Sequence, residues 1–426
     1  MRYWIGIACV VVIAASSRLS ASENWPQWRG PQGNGVAAAG DYPVKFSPTE
    51  GVEWKVDLPG RGTSTPAVWD DRIFVTSPID GEDGVLCYDM QGKELWRKKL
   101  GKERPGKHGN ATGSNPSPAT DGKNVVVYFK SGTLACFSLD GLEKWKINLQ
   151  DKYGKDTLWW DLGTSPLIYG DHVIVAVIQA EDAYLVSFDI NSGKEVWKTA
   201  RQYDCPVECD QSYSTPQIVK SDGKDVIVTW GADHLTGHDA TDGKLLWECG
   251  GFNPKDEGNW RTIASPSVSN GVAIVPHGRG GLLTAVKVGG SGDITKSAPL
   301  WSKEGKTTSA DIPTPITTDG KAYVLSDAGH ITCFDLQTGK EHWSADLPKN
   351  RAKFYSSPIL AGNKLFCVRQ DGTAFVGEVS DEGYKLLAAN DMGERMFATP
   401  VAIRGKLLLR GDEHLYLIGA DGAAAK

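Results

Sequence analysis

Ten side chains in this sequence have the chemistry of a recognition surface. Trp159 and Trp160 stand in Leu158-Trp159-Trp160-Asp161, Tyr213 in Asp210-Gln211-Ser212-Tyr213, and Trp260 and Arg261 in Asn259-Trp260-Arg261-Thr262. Aromatic rings beside an arginine can stack a planar or sugar-like ligand, or anchor a peptide. His277, Arg279, Arg369 and Arg410 lie in short Gly-containing hairpin tips, and Tyr355 in another connection. Arginines converging on one place favour an anionic ligand or an acidic partner segment. All ten are expected on one face of the fold.

A catalytic set is harder to find. No Ser-His-Asp order and no His-Glu-x-x-His stand out, and the absence of Cys-x-x-Cys-His argues against covalent haem. His108 reads as a loop residue rather than a general base. Gly278 to Gly281 lacks the strand-to-helix context that a phosphate-binding loop needs. Cys87, Cys136 and Cys333 occupy equivalent places and read as small buried side chains. Cys205 and Cys209 are not repeated. In an oxidising compartment they could form a short-loop disulfide, with Cys249 as a competitor. No metal-ligand set is expected, because two cysteines do not complete a zinc site.

The elements that position these residues announce themselves by repetition. Thr65-Pro66, Ser117-Pro118, Ser165-Pro166, Thr215-Pro216, Ser265-Pro266, Thr314-Pro315, Ser357-Pro358 and Thr399-Pro400 each open a short apolar run, with prolines 42 to 52 residues apart. That period is the size of one four-stranded propeller blade. A proline that starts an innermost strand leaves the ladder intact. A second series in step with it, Trp54, Trp96, Trp145, Trp197, Trp247, Trp301 and Trp343, closes the units and is expected to dock neighbouring blades. Leu387 stands where an eighth tryptophan is missing. Between the two series, Asp89, Asp189, Asp239 and Asp335 precede a turn with a Gly-Lys pair. The carboxylate can accept from turn N–H groups, and the glycine can take φ > 0. Trp54 precedes every Pro-led strand, and the last unit lacks a closing tryptophan. The N-terminal strand is therefore expected to complete the last blade and leave no free edge.

Phe188 to Trp197, repeated almost word for word by Phe334 to Trp343, resembles the repeat of PQQ-like (quinoprotein) propellers. The resemblance covers roughly Val52 to Ile418. The opening Trp25-Pro26-Gln27-Trp28-Arg29-Gly30-Pro31 is similar to the start of secreted members of that family. The resemblance implies an all-β, eight-bladed propeller of four-stranded antiparallel blades. It implies two functions. Cofactor-free members are scaffolds, such as the propeller lipoprotein of the outer-membrane β-barrel assembly machinery. Others are dehydrogenases that hold PQQ and calcium between a tryptophan and an adjacent-cysteine disulfide, and this sequence has no such cysteine pair. Fold alone does not choose between them.

Composition agrees with export and against nucleic acid. The net charge is −6, mixed along the chain, with no basic stripe. Arg2, the apolar run Ile5 to Ala15 and the small residues to Ser22 read as a signal peptide, too short for the ~20 residues of a membrane span. The expected organisation is a signal peptide (1–22), an extension over the propeller (23–51), the propeller (52–419) and a disordered tail (420–426). The expected function is a binding or scaffold module of the periplasm or exterior. It would be monomeric and hold a protein segment, peptide or glycan on its channel face. The competing reading is a small quinoprotein dehydrogenase oxidising an alcohol or sugar, with Trp160 or Trp260 stacked on the cofactor.

Overall fold

Each Ser/Thr-Pro pair is followed at once by a short inner strand, an apolar second strand and a third strand that in four blades ends at the turn aspartate, and in the first seven units by an exposed outer strand. In the first unit these are Ala67–Trp69, Arg72–Thr76, Glu82–Asp89 and Glu94–Lys102, hydrogen-bonded in that order and all antiparallel. The computed structural model describes residues 24–305, 307–318 and 320–419. Eight such sheets make an eight-bladed propeller. The expected leader and tail lie outside the described residues. Among those residues the one α-helix is Leu149–Tyr153, and no helix is long and apolar enough to cross a membrane.

The ring closes as the strand count requires. Val52–Asp57 pairs antiparallel with His414–Ile418, so the chain's beginning supplies the outer strand of blade eight. Six of the seven tryptophans dock on the turn of the next blade, while Trp247 lies on Gly237 of its own blade. The Trp145 ring lies on Gly193 of the next blade, so close that a Cβ there would meet its Cδ2 at 2.7 Å, and its Nε1 donates to Ile190 O at 2.8 Å. Trp54, Trp96 and Trp301 repeat both contacts on Gly92, Gly141 and Gly339. Trp197 covers Gly243, and Trp343 donates to Ser380 O. The turn carboxylates cap as predicted; Asp89 Oδ1 accepts from the N–H groups of Gln91 and Lys93, both at 2.9 Å.

Two places depart from plain repetition. The first is the Gly/Ser-rich stretch around Gly289–Gly292. Gly292–Asp293 pairs in parallel with Leu245–Cys249 and adds a fifth strand to blade four, over the buried Trp247. The second is Leu387, where tryptophan is missing; Tyr42 and Phe46 from the N-terminal segment join the buried cluster that spans blades seven, eight and one.

Candidate functional site

The residue before each proline builds the wall of the central channel. The backbone N–H of Thr65 donates to Ser117 Oγ, Ser117 to Ser165, Ser165 to Thr215, Thr215 to Ser265, Ser265 to Thr314 and Thr314 to Ser357, each at 2.9 Å. Ser357 N–H reaches Thr399 Oγ1 at 3.3 Å, and Thr399 N–H returns to Thr65 Oγ1 at 3.1 Å. The result is a closed circle of eight bonds, one across each blade boundary. It explains why a hydroxyl residue precedes every proline.

The N-terminal segment lies across the channel on the strand side of this circle. Trp25 bridges Val68, Thr120 N–H donates to Pro26 O, and Val36–Ala37 adds in parallel to Ile359–Ala361. Arg29 is buried, and its guanidinium donates to Pro358 O at 2.5 Å and Pro315 O at 2.9 Å, carbonyls of two blades. Burial lowers its pKa to about 9. Trp28 of this segment lines the channel cavity from below. The cavity holds about 210 Å³ and is lined above the circle by the loops that precede the prolines, where a second space of about 220 Å³ adjoins it.

Four of the predicted residues meet at that mouth: Trp160, Tyr213, Arg261 and Tyr355. The Arg261 guanidinium lies 5.4 Å from the centre of the Trp160 ring. It sits 3.4 Å from Asp311 and 3.8 Å from Glu208. Trp160 Nε1 donates to Glu208. The backbone of Glu208 has a φ of 71°. That left-handed conformation costs a non-glycine residue energy. Tyr213 OH accepts from Trp160 N–H at 3.1 Å and donates to Gln211 at 3.0 Å. Trp159 stands beside them, 53% exposed.

The loop over the mouth is held by a buried ion pair. Asp161 accepts from Lys130 and from the N–H groups of Lys107 and His108. Burial acts to raise the Asp161 carboxyl, but these donors outweigh it and hold it below the usual carboxylate range. The same loop places His108 edge-on to Trp160 at 5.6 Å, and Asn110 Nδ2 donates to Tyr355 OH at 3.0 Å. Sequence reasoning missed Trp28, Asn110, Asp161 and Phe397 as cavity residues, and left His108 as a plain loop residue. Trp28 carried a signal, since it lies in the Trp25 to Pro31 motif.

The other predicted residues are elsewhere. His277 packs against Phe252 and Trp230, and burial lowers its pKa to about 4. Arg279 is an exposed tip with a φ of 54°. Trp260 donates its backbone N–H to Cys209 Sγ at 3.3 Å and is not in the cavity wall. Arg369 is buried against Asp371, Pro348 O and the Phe375 ring. Arg410 is buried, donating to Ser64 O at 3.1 Å. The arginines therefore do not converge: two of them tie backbone and side chains inside the fold. Nor is the anticipated Cys205–Cys209 bridge formed. Both are free thiols, and Cys209 is already engaged, with its Sγ donating to Glu257 O at 3.2 Å. Burial pushes both thiols up, Cys205 to about 12 and Cys209 to about 11. Cys87, Cys136 and Cys333 are fully buried.

A family model described as outer membrane protein assembly factor BamB matches residues 35–203, 81–283 and 291–385. The chain belongs to this PQQ-like, BamB-type propeller family. BamB of Bordetella pertussis is 22% identical over 363 residues, 84% of this chain and 83% of the relative. BamB of Salmonella typhimurium is 25% identical over 325 residues, 72% and 75% of the two chains. Among solved structures, BamB from Moraxella catarrhalis matches with a TM-score of 0.61 at 17% identity, covering 86% of this chain and 98% of that one. A europium-containing methanol dehydrogenase matches with a TM-score of 0.68 at 10% identity, covering 92% and 97%. At these identities the structures share a fold and nothing finer.

The wider fold family implies PQQ, and the channel of this BamB-type chain does not suit it. PQQ brings carboxylates and a calcium ion. Arg261 is already paired, and among the described residues no three His, Cys, Asp or Glu side chains gather as metal ligands. The residues present do not fit that group.

Proposed function

We propose that this protein is a protein-binding scaffold of the cell envelope, holding a segment of an outer-membrane assembly partner on its loop face. The observation that carries the reading is the adjacent pair Trp159 and Trp160, 53% and 39% exposed, beside the Arg261, Glu208 and Asp311 cluster at the open end of the channel. Exposed tryptophans flanked by arginine are the commonest anchors of protein interfaces. Membership of the BamB-type family supports the choice of partner. The leader expected at 1–22 supports a periplasmic location.

Co-purification from the native host tests this. Trp160→Ala in a tagged protein is expected to lose about tenfold of any bound outer-membrane assembly protein, a loss of roughly 1.4 kcal/mol, well inside the range of interface anchors. Undiminished recovery of the same partner would refute the loop-face reading.

A further inference from the structure

The circle of hydroxyls has unspent bonding capacity. Each of the eight oxygens accepts one backbone N–H from the preceding blade. A hydroxyl carries two lone pairs and one proton, so each keeps one acceptor site and its donor. None of the eight donates to another described residue, although all are buried and all line the cavity. Of the charged groups nearby, Asp161 is neutralised by Lys130, and Arg261 lies between Glu208 and Asp311 at the rim. Arg29 stays behind the Trp28 ring, held by backbone carbonyls. The cavity wall itself thus presents hydroxyls that both donate and accept. Trp28 below and Tyr213, Tyr355 and Phe397 around it supply flat aromatic surface.

We infer that the blind cavity is a site for one neutral sugar ring. A sugar hydroxyl also donates and accepts, so it satisfies this wall without leaving buried groups unpaired. The apolar C–H face of the ring packs on an aromatic floor. An anion would bring a charge that the hydroxyl wall alone does not pair, and its burial would be costly. The cavity volume is about 210 Å³. At ~30 Å³ for each water, that is roughly seven waters, which suits one monosaccharide unit. That unit is either a free sugar or the end of a glycan. The site does not depend on the partner proposed above, because it lies beneath the rim that would hold a protein.

The test is calorimetric titration of the full mature chain with D-glucose, N-acetylglucosamine, cellobiose and chitobiose. At least one is expected to bind saturably. A disaccharide that binds more tightly than its monosaccharide identifies a glycan end; equal binding identifies a free sugar. Ala111→Phe fills the cavity from a loop without touching the hydroxyl circle, and should weaken binding by at least about tenfold. Trp159→Ala, on the exposed rim and outside the cavity wall, should leave sugar binding unchanged while weakening any protein partner. Thermal melts verify that both variants fold, and a sugar-soaked crystal should place the ring over Trp28. No saturable binding by any of the four, binding undiminished in Ala111→Phe, or binding of acetate in their place would overturn the inference.

Discussion

At the scale of single residues, the hydroxyl before each proline is a structural part with a measurable worth. Ser265 Oγ is the acceptor of the buried Thr215 N–H. Ser265→Ala removes it and should cost about 1–3 kcal/mol in denaturant unfolding. Ser265→Thr should be nearly neutral, because threonine already fills equivalent places such as Thr215 and Thr314. Asp83 offers a pH test. It is fully buried, with one oxygen accepting from Ser131 and the other without a partner. Burial raises its pKa from 3.8 to about 7, against the pull of Ser131. The folded state therefore binds this proton more tightly than the unfolded one. Its contribution is complete below pH 3.8 and is lost as pH rises through about 7. Asp83→Asn should flatten that slope in melts taken across this range. The arginines show where residue reading runs out. Arg369 and Arg410 sit in polar tips that look solvated in sequence, yet both turn inward to backbone carbonyls. A long side chain can reach either way from a strand end, and sequence does not say which. Trp160, Tyr213 and Arg261 were legible because they precede a proline and belong to no repeat.

At the scale of elements, neighbouring blades hold together through indoles laid on glycines. Trp145→Ala should cost ~3–5 kcal/mol, the range for emptying a large buried site. Gly193→Ala should also destabilise. A φ of 67° at this position disfavours any side chain, and the new Cβ would press on Trp145 at 2.7 Å. Only glycine takes such a backbone without steric cost. Trp159 is more than half exposed. Trp159→Ala should therefore stay within roughly 0.5 kcal/mol in the same unfolding assay. The strand order was legible because in four blades proline, aspartate-glycine and tryptophan mark three of the four boundaries, and the period carries the rest. The parallel strand Gly292–Asp293 was not, although it pairs with blade four. A two-residue strand in a Gly/Ser-rich stretch carries no alternation, and its pairing is set by a fold that has first to form.

At the scale of the whole molecule, the chain uses its own beginning twice. Val52–Asp57 closes the ring, and the residues before it close one end of the channel. Closure was legible from the position of Trp54 and the short last unit. The plug was not, because Arg29 looks like a surface charge until carbonyls of two blades are seen to surround it. With one end sealed, the protein has a back and a front, and the recognition proposed above falls to the loops. Photo-crosslinking in the native host tests that polarity most directly. A photoreactive residue at Trp159 on the loop face, compared with one at exposed Ala39 on the plug side, should capture an outer-membrane assembly protein from the first position and not from the second. Capture from Ala39 with none from Trp159 would contradict the account.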